Sequence, residues 1–394
     1  MKISIIASDL SSNGAGRWGG AVRPFLLSQA LKKIGCDVEI LGFVDTSLPI
    51  SISTSQTEIS IVPIYTNYTN KYYPGFLLSA KKLLEKISGD IIYAYKLKPS
   101  SLGLALIKKI QTSRPVFLDI DDWELSWHGG DNWEYRPSIK QLARDILKPE
   151  GALRQPDHPF YLKWIESLVS KSDQVTLHNQ FLKKRFGGIY LPNGKDTNLF
   201  DPHKYDPEVS RTHYGLGGYR ILMFPGAPRP YKGVEDVLMA LDKLNQPDLR
   251  LVIVGGSPYD DYDHQLKEKW GLRIIQMPKH PPTVMPEIVA AAHIIVVPQR
   301  DTPEAKAQFP LKLTDGMAMS KPIIATKVGD IPEILGDTGY LVEPSSPEQI
   351  AAQIELIFND LKAANSKGIK ARERCIKYYS IDAMATILSD LIKV

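Results

Sequence analysis

Strand-length apolar runs alternate with helical patterns along most of the chain, and this alternation restricts the fold more than any single motif. In the first half the runs are Ile3–Ala7, Val38–Gly42, Ile91–Ala94 and Val116–Ile120; in the second half they are Ile221–Phe224, Leu251–Val254, Arg273–Gln276, Ile294–Pro298 and Pro322–Thr326. Strands that are buried on both faces and separated by helices are typical of parallel sheets built from βαβ units. We therefore predict an α/β protein with doubly wound, Rossmann-like sheets.

The alternation begins again at Ile221, which predicts two domains. The stretch before it, Asp201 to Gly218, is rich in Pro, Gly and charge and has the composition of a linker. A chain of 394 residues also exceeds what one ordinary core supports. We predict domains at 1–203 and 204–376, followed by a C-terminal segment, 377–394. Because such sheets bind ligands at the carboxyl ends of their strands, we expect a shared ligand in a cleft between them.

Composition indicates an ordinary soluble protein. Hydrophobic residues make up 43% and charged residues 23% of the chain, and no apolar run is long enough to span a membrane. The first eight residues resemble a β-strand and not a signal peptide. The two cysteines, Cys36 and Cys375, support neither a disulfide framework nor a zinc site. We expect a cytoplasmic protein.

Charge is unevenly spread along the chain. The net charge is only +4, and no nucleic-acid partner is predicted, but residues 65–114 contain nine basic and two acidic side chains. This segment is either a solvated surface or a region attracted to an anionic acceptor or an anionic membrane surface. A peripheral position at the inner face of a membrane is therefore one of two alternatives.

A basic loop from Phe224 to Gly233 predicts an anion site. It follows an apolar strand and opens a helix over Val234–Leu244, so Arg229 and Lys232 lie where a helix N-terminus already favours anions. Two cations there could hold a diphosphate, although they could also form a solvated face.

A second segment, Phe309 to Ala318, predicts a ribose contact. It puts Asp315 early in another helix, where the carboxylate can accept hydrogen bonds from ribose hydroxyls. A diphosphate site and a ribose site together indicate a nucleotide, or a substrate activated by one.

A glycine-rich stretch, with Gly14, Gly16 and Gly19, matches the spacing of the dinucleotide fingerprint. In a dehydrogenase the glycines follow the first strand directly, but here that strand ends near Ser8 and the helix begins near Gly20. The loop is too long for that geometry. We predict that the amides of Gly19 and Gly20 approach phosphate or sugar oxygens; a NAD site and a plain flexible turn are the alternatives.

The acidic motif Asp119-x-Asp121-Asp122 has three interpretations. It resembles the metal motif of single-domain, metal-dependent glycosyltransferases, it could contact a sugar, or it could be structural. Because Arg229 and Lys232 could neutralise a diphosphate instead, we expect no metal.

Three further features are ambiguous. The Pro192–Gly194 motif is more typical of a turn than of a ligand contact. His178 and Asn179 end a short strand and are expected mainly to hydrogen-bond within the protein. The segment from Trp123 to Phe160 is long and rich in Trp and Pro, which favours a functional loop region.

Taken together, these motifs resemble the fourth family of glycosyltransferases, the large retaining group 1 with the two-domain GT-B fold. The resemblance covers nearly the whole chain and rests on the order of modest motifs. These are Gly19-Gly20 before a helix, Pro-Asn-Gly-x-Asp-x-x-x-Phe from Pro192, Gly-x-x-Arg-x-x-Lys-Gly from Gly226, Leu-Val-Ile-Val-Gly-Gly from Leu251, and Asp-Gly-Met-Ala-x-x-Lys-Pro-Ile-Ile-Ala from Asp315.

The resemblance implies transfer of a sugar from a nucleotide donor, often a UDP-sugar, to a hydroxyl with retention of configuration and without a metal or other cofactor. It adds Gly256, Leu311 and Lys312 to the donor-binding residues. It also implies that the last helix, near Ile381–Ile392, crosses back to the first domain. Asp121 would act in catalysis with Arg229 and Lys232.

Three positions depart from the family pattern. Ala227 stands where an Arg is common, Ala307 replaces the first of two glutamates, and Asp121 replaces a His near the donor sugar. Glu304 could compensate for Ala307. The nucleotide side is thus usual and the sugar side is not.

From these features we expect a polysaccharide-type or glycoconjugate-type enzyme that moves a hexose such as glucose to a sugar or lipid-linked sugar. A UDP-sugar epimerase of GT-B fold and a non-catalytic nucleotide-sugar-binding protein are the alternatives.

Overall fold

The computed structural model describes residues 1–10, 22–45, 60–67, 69–256 and 260–393. Contacts between Cα atoms divide the chain into two compact units. Unit 1 runs to Pro192 and includes the chain from Met384 onwards, and unit 2 spans Asn193–Ala383. The divisions lie at 192 and 383, whereas the sequence placed them at 203 and 376.

Unit 1 contains a parallel sheet with the order β3-β2-β1-β4-β5-β6-β7, which is seven strands among the residues described. The strands are β1 (Lys2–Ala7), β2 (Asp37–Asp45), β3 (Ser60–Thr66), β4 (Ile91–Tyr95), β5 (Val116–Ile120), β6 (Gln174–Leu177) and β7 (Ile189–Tyr190). The strand order reverses between β1 and β4, and ligands of such sheets bind beyond the carboxyl ends at this point.

Unit 2 repeats the arrangement with the order β10-β9-β8-β11-β12-β13. Its strands are β8 (Arg220–Pro225), β9 (Leu249–Val254), β10 (Ile274–Met277), β11 (Ile294–Val297), β12 (Ile323–Thr326) and β13 (Tyr340–Val342). Here the order reverses between β8 and β11. The predicted α/β fold with two parallel, Rossmann-like sheets is confirmed.

Helices separate the strands in both units. In unit 1 they are α1 (Val22–Lys33), α2 (Phe76–Lys86), α3 (Leu104–Thr112), α4 (Ile139–Leu147), α5 (Pro159–Glu166) and α6 (Gln180–Phe186). In unit 2 they are α7 (Pro207–His213), α8 (Val234–Leu244), α9 (Tyr262–Trp270), α10 (Met285–Ala290), α11 (Pro303–Lys306), α12 (Leu311–Ala318), α13 (Ile331–Leu335), α14 (Pro347–Asn359) and α15 (Leu361–Tyr379). The last helix, α16 (Ile381–Ile392), begins in unit 2 and ends in unit 1.

The continuous apolar runs have a simple cause in unit 2, where the sheet is covered on both faces. Ile221 and Met223 of β8 pack in one core cluster, while Leu222 and Phe224 pack in the other. Successive side chains of a strand point to opposite faces, so a strand between two cores must be apolar at every position.

The predicted linker, Asp201 to Gly218, is wrong, because it contains helix α7. The Asp206 carboxylate accepts hydrogen bonds from the amides of Glu208 and Val209 and caps the helix, with a proline at its first position. The Arg211 guanidinium then donates to the Ala291 carbonyl at 3.1 Å. Strands β3 and β13 were also not predicted.

The segment from Trp123 to Phe160 is ordered and contains α4 together with short 3-10 turns. Each unit also carries one buried, free cysteine, Cys36 in unit 1 and Cys375 in unit 2. Burial raises the pKa of both thiols, that of Cys375 to about 12.

Candidate functional site

The predicted basic loop joins β8 to α8 and is shaped by two glycines. Gly226 and Gly233 have φ angles of 146° and 67°, which side chains other than Gly rarely adopt. A Cβ on Gly233 would collide with the Pro298 carbonyl oxygen. The Gly226 amide donates to the Val254 carbonyl at 2.9 Å and so fixes the loop to the end of β9.

Lys232 turns inward from this loop. Its ammonium donates to the Ala227 carbonyl at 2.9 Å. Burial lowers the pKa of Lys232 well below its usual value, and the charges of Lys312 and Arg229 lower it further. The predicted cations, Arg229 and Lys232, are therefore close enough to repel each other.

Lys312, in the first turn of α12, is a third cation at this edge. Its side chain is buried, its ammonium lies 4.6 Å from the centroid of the Phe224 ring, and its Cε would be 3.7 Å from a Cβ on Gly226. Desolvation lowers the pKa of Lys312 to about 8, although Asp315 partly opposes this. We call Arg229, Lys232 and Lys312 the cationic cluster; an anion bound among them would relieve their repulsion.

The glycines after β9 lie beside the basic loop. A Cβ on Gly255 would be 3.6 Å from the Ala227 amide nitrogen, and one on Gly256 would be 2.8 Å from Asp263 Oδ2. The space beside Gly255 would accept a Cβ, but its φ of 110° favours glycine, and a Cβ on Gly256 would require the Asp263 carboxylate to shift. Leu311 packs against the core of unit 2 at the start of α12.

Asp315, predicted to bind ribose, forms an ion pair with Lys195. Within the described residues, Lys195 is its only side-chain hydrogen-bond partner. The Lys195 ammonium also lies 4.1 Å from the centroid of the Phe200 ring. Lys195 was missed by the sequence analysis, because its partner is 120 positions away.

The Pro192–Gly194 motif explains how Lys195 reaches this point. The Lys195 amide donates to the Tyr379 carbonyl at 2.7 Å, and the Ile381 amide donates to the Lys195 carbonyl at 3.0 Å. A Cβ on Gly194 would lie 2.9 Å from the Cα of Ile381, so only glycine permits this close approach. Ala307 is fully buried after α11, and Glu304 is partly exposed on that helix.

In unit 1, Asp119 belongs to a buried ion pair. The Arg23 guanidinium donates to both of its carboxylate oxygens, at 2.8 and 2.7 Å, and the Thr176 hydroxyl donates at 2.7 Å. These bonds use the carboxylate that the metal interpretation required. Over the described ranges, no cluster of three or more His, Cys, Asp or Glu side chains is arranged to hold a metal ion.

Asp121 follows β5 and accepts a hydrogen bond from the Tyr95 hydroxyl. Its other oxygen is 3.4 Å from the Lys96 ammonium. Lys96 has a backbone φ of 75°, a left-handed conformation that is uncommon outside glycine and frequent at functional sites. It precedes a π-helix over Pro99–Gly103.

Lys96 and Lys98 are neutralised by carboxylates. Lys96 contacts Glu124 at 2.6 Å and Lys98 contacts it at 3.1 Å. Burial disfavours both ammonium charges, but Asp121 and Glu124 beside Lys96, and Glu124 and Asp157 beside Lys98, outweigh it and raise both pKa values.

Asp122 differs from its neighbour. The Trp127 indole donates to its Oδ2 at 2.8 Å, while Oδ1 is buried without a hydrogen-bond partner among the described residues. Burial raises the pKa of Asp122 to about 7, although Lys96 opposes the shift. We call Lys96, Lys98, Asp121, Asp122 and Glu124 the mixed cluster.

The two predicted phosphate contacts, Gly19 and Gly20, lie outside the described residues with the rest of the glycine-rich stretch.

His178 and Asn179 lie within the protein, as the sequence predicts. His178 is buried, and the Asn179 side chain accepts a hydrogen bond from the Leu182 amide and caps α6.

Comparison with known proteins matches residues 219–360 to the model of the family "Glycosyl transferases group 1". N-acetyl-alpha-D-glucosaminyl L-malate synthase from Bacillus anthracis is 24% identical over an alignment of 345 residues, and the match covers 84% of this chain and 83% of the synthase. The GDP-mannose-dependent alpha-(1-6)-phosphatidylinositol monomannoside mannosyltransferase from Mycolicibacterium smegmatis is 25% identical over an alignment of 247 residues, and the match covers 58% of this chain and 64% of that enzyme.

Solved structures share the fold. Anabaena HepE in complex with UDP and glucose superposes with a TM-score of 0.76 at 18% identity, over 100% of this chain and 99% of HepE. This likeness in fold covers residues of both units. The chain is thus a glycosyltransferase of the GT-B type that carries a domain of the glycosyl transferases group 1 family.

Proposed function

We propose that this chain is a retaining glycosyltransferase that moves a neutral hexose, such as glucose, from a UDP-sugar to a hydroxyl of a sugar or lipid-linked sugar. The observation that carries the proposal is the cationic cluster at the carboxyl end of β8. Burial lowers the pKa of both Lys232 and Lys312, and the charges of Lys312 and Arg229 lower that of Lys232 further, so the cluster favours a bound anion. A nucleoside diphosphate has the required charge.

The chemistry follows from where charge develops during transfer. The departing diphosphate gains negative charge, and Arg229, Lys232 and Lys312 would stabilise it through preorganised electrostatics. A β-phosphate oxygen would take the acceptor's proton, so no dedicated protein base is required. The acceptor would attack on the face that the diphosphate leaves, and configuration would be retained.

Asp315 would hold the ribose, with Lys195 fixing the carboxylate. An ionised carboxylate can accept hydrogen bonds from two hydroxyls at once. No metal is needed in this scheme, because three basic side chains are already present. EDTA should therefore leave turnover unchanged. Turnover that is lost with EDTA and restored by Mn²⁺ or Mg²⁺ would contradict a metal-independent reaction.

The mixed cluster would serve the sugar side. Its cations are matched by carboxylates, and an oxygen of Asp121 and one of Asp122 lack hydrogen-bond partners among the described residues. Such oxygens can accept hydroxyl protons from a neutral sugar. The carboxylate of a uronic acid would be repelled by the carboxylates of the mixed cluster.

Similar proteins support a UDP-sugar as the donor, but GDP-mannose is an alternative. HepE has been crystallised with UDP and with UDP-glucose, whereas the mycobacterial relative depends on GDP-mannose. A thermal-shift screen with UDP, UDP-glucose, UDP-glucuronate and GDP-mannose separates these donors. A ligand at 100 times its dissociation constant adds about 2.7 kcal/mol to the free energy of unfolding.

Product analysis then tests the reaction. Purified protein with UDP-glucose and no acceptor should release free glucose and UDP slowly. An epimerised UDP-sugar would instead identify an epimerase, and an unchanged donor that nevertheless binds would identify a binding protein. If GDP-mannose alone stabilises the protein in the thermal-shift screen, the donor is GDP-mannose and not a UDP-sugar.

A further inference from the structure

Helix α4 buries an acidic side chain and exposes its aliphatic ones, the reverse of an ordinary surface helix. Asp145 is its buried side chain, at 4% exposure, and it accepts a hydrogen bond from the Tyr135 hydroxyl at 2.8 Å. Four large aliphatic residues of the same helix are exposed, from Ile139 at 90% and Leu147 at 76% to Leu142 and Ile146. A helix normally turns its apolar stripe toward the core.

The exposed aliphatic residues form one continuous face. Ile139, Leu142 and Ile146 follow the spacing that puts side chains on one side of a helix, and Leu147 lies beside them. Lys140 and Arg144 flank this face on the side of Leu147. Leaving such a face in water is unfavourable, so its position points to a partner.

A second exposed apolar pair is tied to this helix. Leu77 and Leu78 in the first turn of α2 are exposed by 58% and 66%. The Arg154 guanidinium donates to the Lys148 carbonyl at 3.0 Å and to the Tyr73 carbonyl at 2.5 Å. It thereby links the end of α4 to the residues that precede α2. We call the six aliphatic residues on these two helices the α4–α2 patch.

The charges around the patch are mostly positive. The exposed cations on α2, on α4 and just after it are Lys81, Lys82, Lys86, Lys140, Arg144 and Lys148, against the exposed anions Glu85 and Glu150. Two copies of the chain meeting across a twofold axis would bring these cations together, which disfavours self-association. An anionic lipid surface would attract them.

We propose that the α4–α2 patch docks on a membrane that contains anionic lipid. Its aliphatic side chains enter the boundary between headgroups and acyl chains, and its Lys and Arg side chains contact the headgroups. Among the helices described, none is long and apolar enough to cross a bilayer. Because α4 has 9 residues, whereas a spanning helix needs about 20, it would lie along the surface.

Docking there has a consequence for the sugar side of unit 1. The segment that carries α4 begins directly after Asp121 and Asp122 at the carboxyl end of β5. A docked α4 would hold the mixed cluster near the lipid surface, which suits the lipid-linked acceptor in the proposed function. The docking surface itself does not depend on the donor.

The test is flotation of the full chain with phosphatidylcholine vesicles, with and without phosphatidylglycerol. Wild-type protein should float with the anionic vesicles only, and added salt should release it. The double substitution Ile139→Gln/Ile146→Gln should weaken binding by about tenfold or more. Leu272→Gln, which changes an 88% exposed leucine in unit 2, is the matched control and should bind as wild type.

Lys140→Glu/Arg144→Glu separates the two contributions, since it should abolish the preference for anionic lipid while leaving the apolar face intact. Wild-type protein that ignores anionic vesicles overturns the proposal. So does an equal loss in Leu272→Gln, or a dimer that dissociates when Ile139 and Ile146 are replaced. A large fall in the melting temperature of that variant overturns it as well, because the face would then be buried in solution. Protein that floats but does not bind UDP refutes only the donor assignment.

Discussion

Lysines lie at the carboxyl ends of strands in both units, yet their pKa values move in opposite directions. In the cationic cluster of unit 2, burial lowers the pKa of Lys232 and of Lys312. In the mixed cluster of unit 1, carboxylates overcome the same burial penalty and raise the pKa of Lys96 and of Lys98. The difference lies in the neighbours and not in the lysines.

This contrast separates the two kinds of ligand. In unit 2, burial together with the charges of Lys312 and Arg229 disfavours the charged form of Lys232, and a bound diphosphate would offset that cost. A cluster that neutralises its own charges gains little from an ionic ligand, so unit 1 is suited to hydroxyl groups. Equivalent places in two similar sheets can thus be specialised by where the acidic residues fall.

The largest expected effect tests the cationic cluster. Arg229→Ala, Lys232→Ala and Lys312→Ala should each weaken UDP binding roughly tenfold to a hundredfold, because hydrogen bonds to charged groups contribute about 1.5–3 kcal/mol. Isothermal titration with UDP measures this. Lys327→Ala, which removes an exposed lysine paired with Glu343, is the control. Near-wild-type affinity in all three variants would remove the diphosphate from unit 2.

Asp315 tests whether an acidic residue in unit 2 serves the donor or only Lys195. Asp315→Ala should raise the dissociation constant for UDP about tenfold, as expected for a charge-assisted contact. It should also destabilise the protein, because Lys195 loses its partner. Adding Lys195→Ala should recover stability in thermal melts. If the double variant also recovers UDP affinity, Asp315 has no ribose contact.

A pH series sharpens the contrast without mutation. Since Lys312 has a pKa of about 8 in the free protein, it is charged below that pH and loses its proton above it. Affinity for UDP should therefore fall several-fold between pH 7 and pH 9, with proton uptake on binding near pH 8. Calorimetry in buffers of different ionisation enthalpy detects the uptake. Constant affinity over this range would mean that Lys312 does not face the phosphates.

The sugar side of the contrast is tested at Asp121. Asp121→Ala should lower turnover roughly fivefold, the effect of losing one hydrogen bond of about 1 kcal/mol, while UDP affinity is unchanged. Wild-type enzyme should prefer UDP-glucose to UDP-glucuronate in initial-rate measurements. Intact turnover in the variant, or a better rate with the uronate, would contradict a neutral sugar at the mixed cluster.

The last test concerns the stability of the protein and not binding or turnover. The pKa of Asp122 is raised to about 7, above the value of an unfolded Asp, so the folded state is favoured least when this carboxyl is ionised. Its contribution is present below about pH 4 and is lost as the pH rises to about 7. Asp122→Asn should flatten this part of the stability profile by at least ~1 kcal/mol in urea titrations. An unchanged profile would show that the pKa of Asp122 is not raised in the folded protein.

Local patterns predicted the parts of the fold that local forces determine. Runs such as Leu251–Val254 could be recognised because both sheet faces are covered, and the glycines of the basic loop because their backbone angles exclude other residues. Helix α7 had a cap and a first-turn proline, but its Pro and charge content was assigned to a linker.

Partner choice could not be predicted, because it depends on contacts between distant positions. Arg23 pairs with Asp119 across 96 positions and Lys195 pairs with Asp315 across 120. Composition likewise shows an excess of cations in 65–114 but cannot show that Lys96 and Lys98 face carboxylates. The donor-binding roles of Gly19 and Gly20 stay predictions.

The two buried cysteines allow local opening to be measured separately in each unit. A thiol reacts as the thiolate, and burial of Cys36 and Cys375 suppresses both access and ionisation. Modification by a disulfide reagent therefore requires a local opening of the unit that holds the cysteine. Ligand-induced slowing of labelling at Cys375 without slowing at Cys36 would reveal tightening confined to unit 2, in the native sequence and without any added probe.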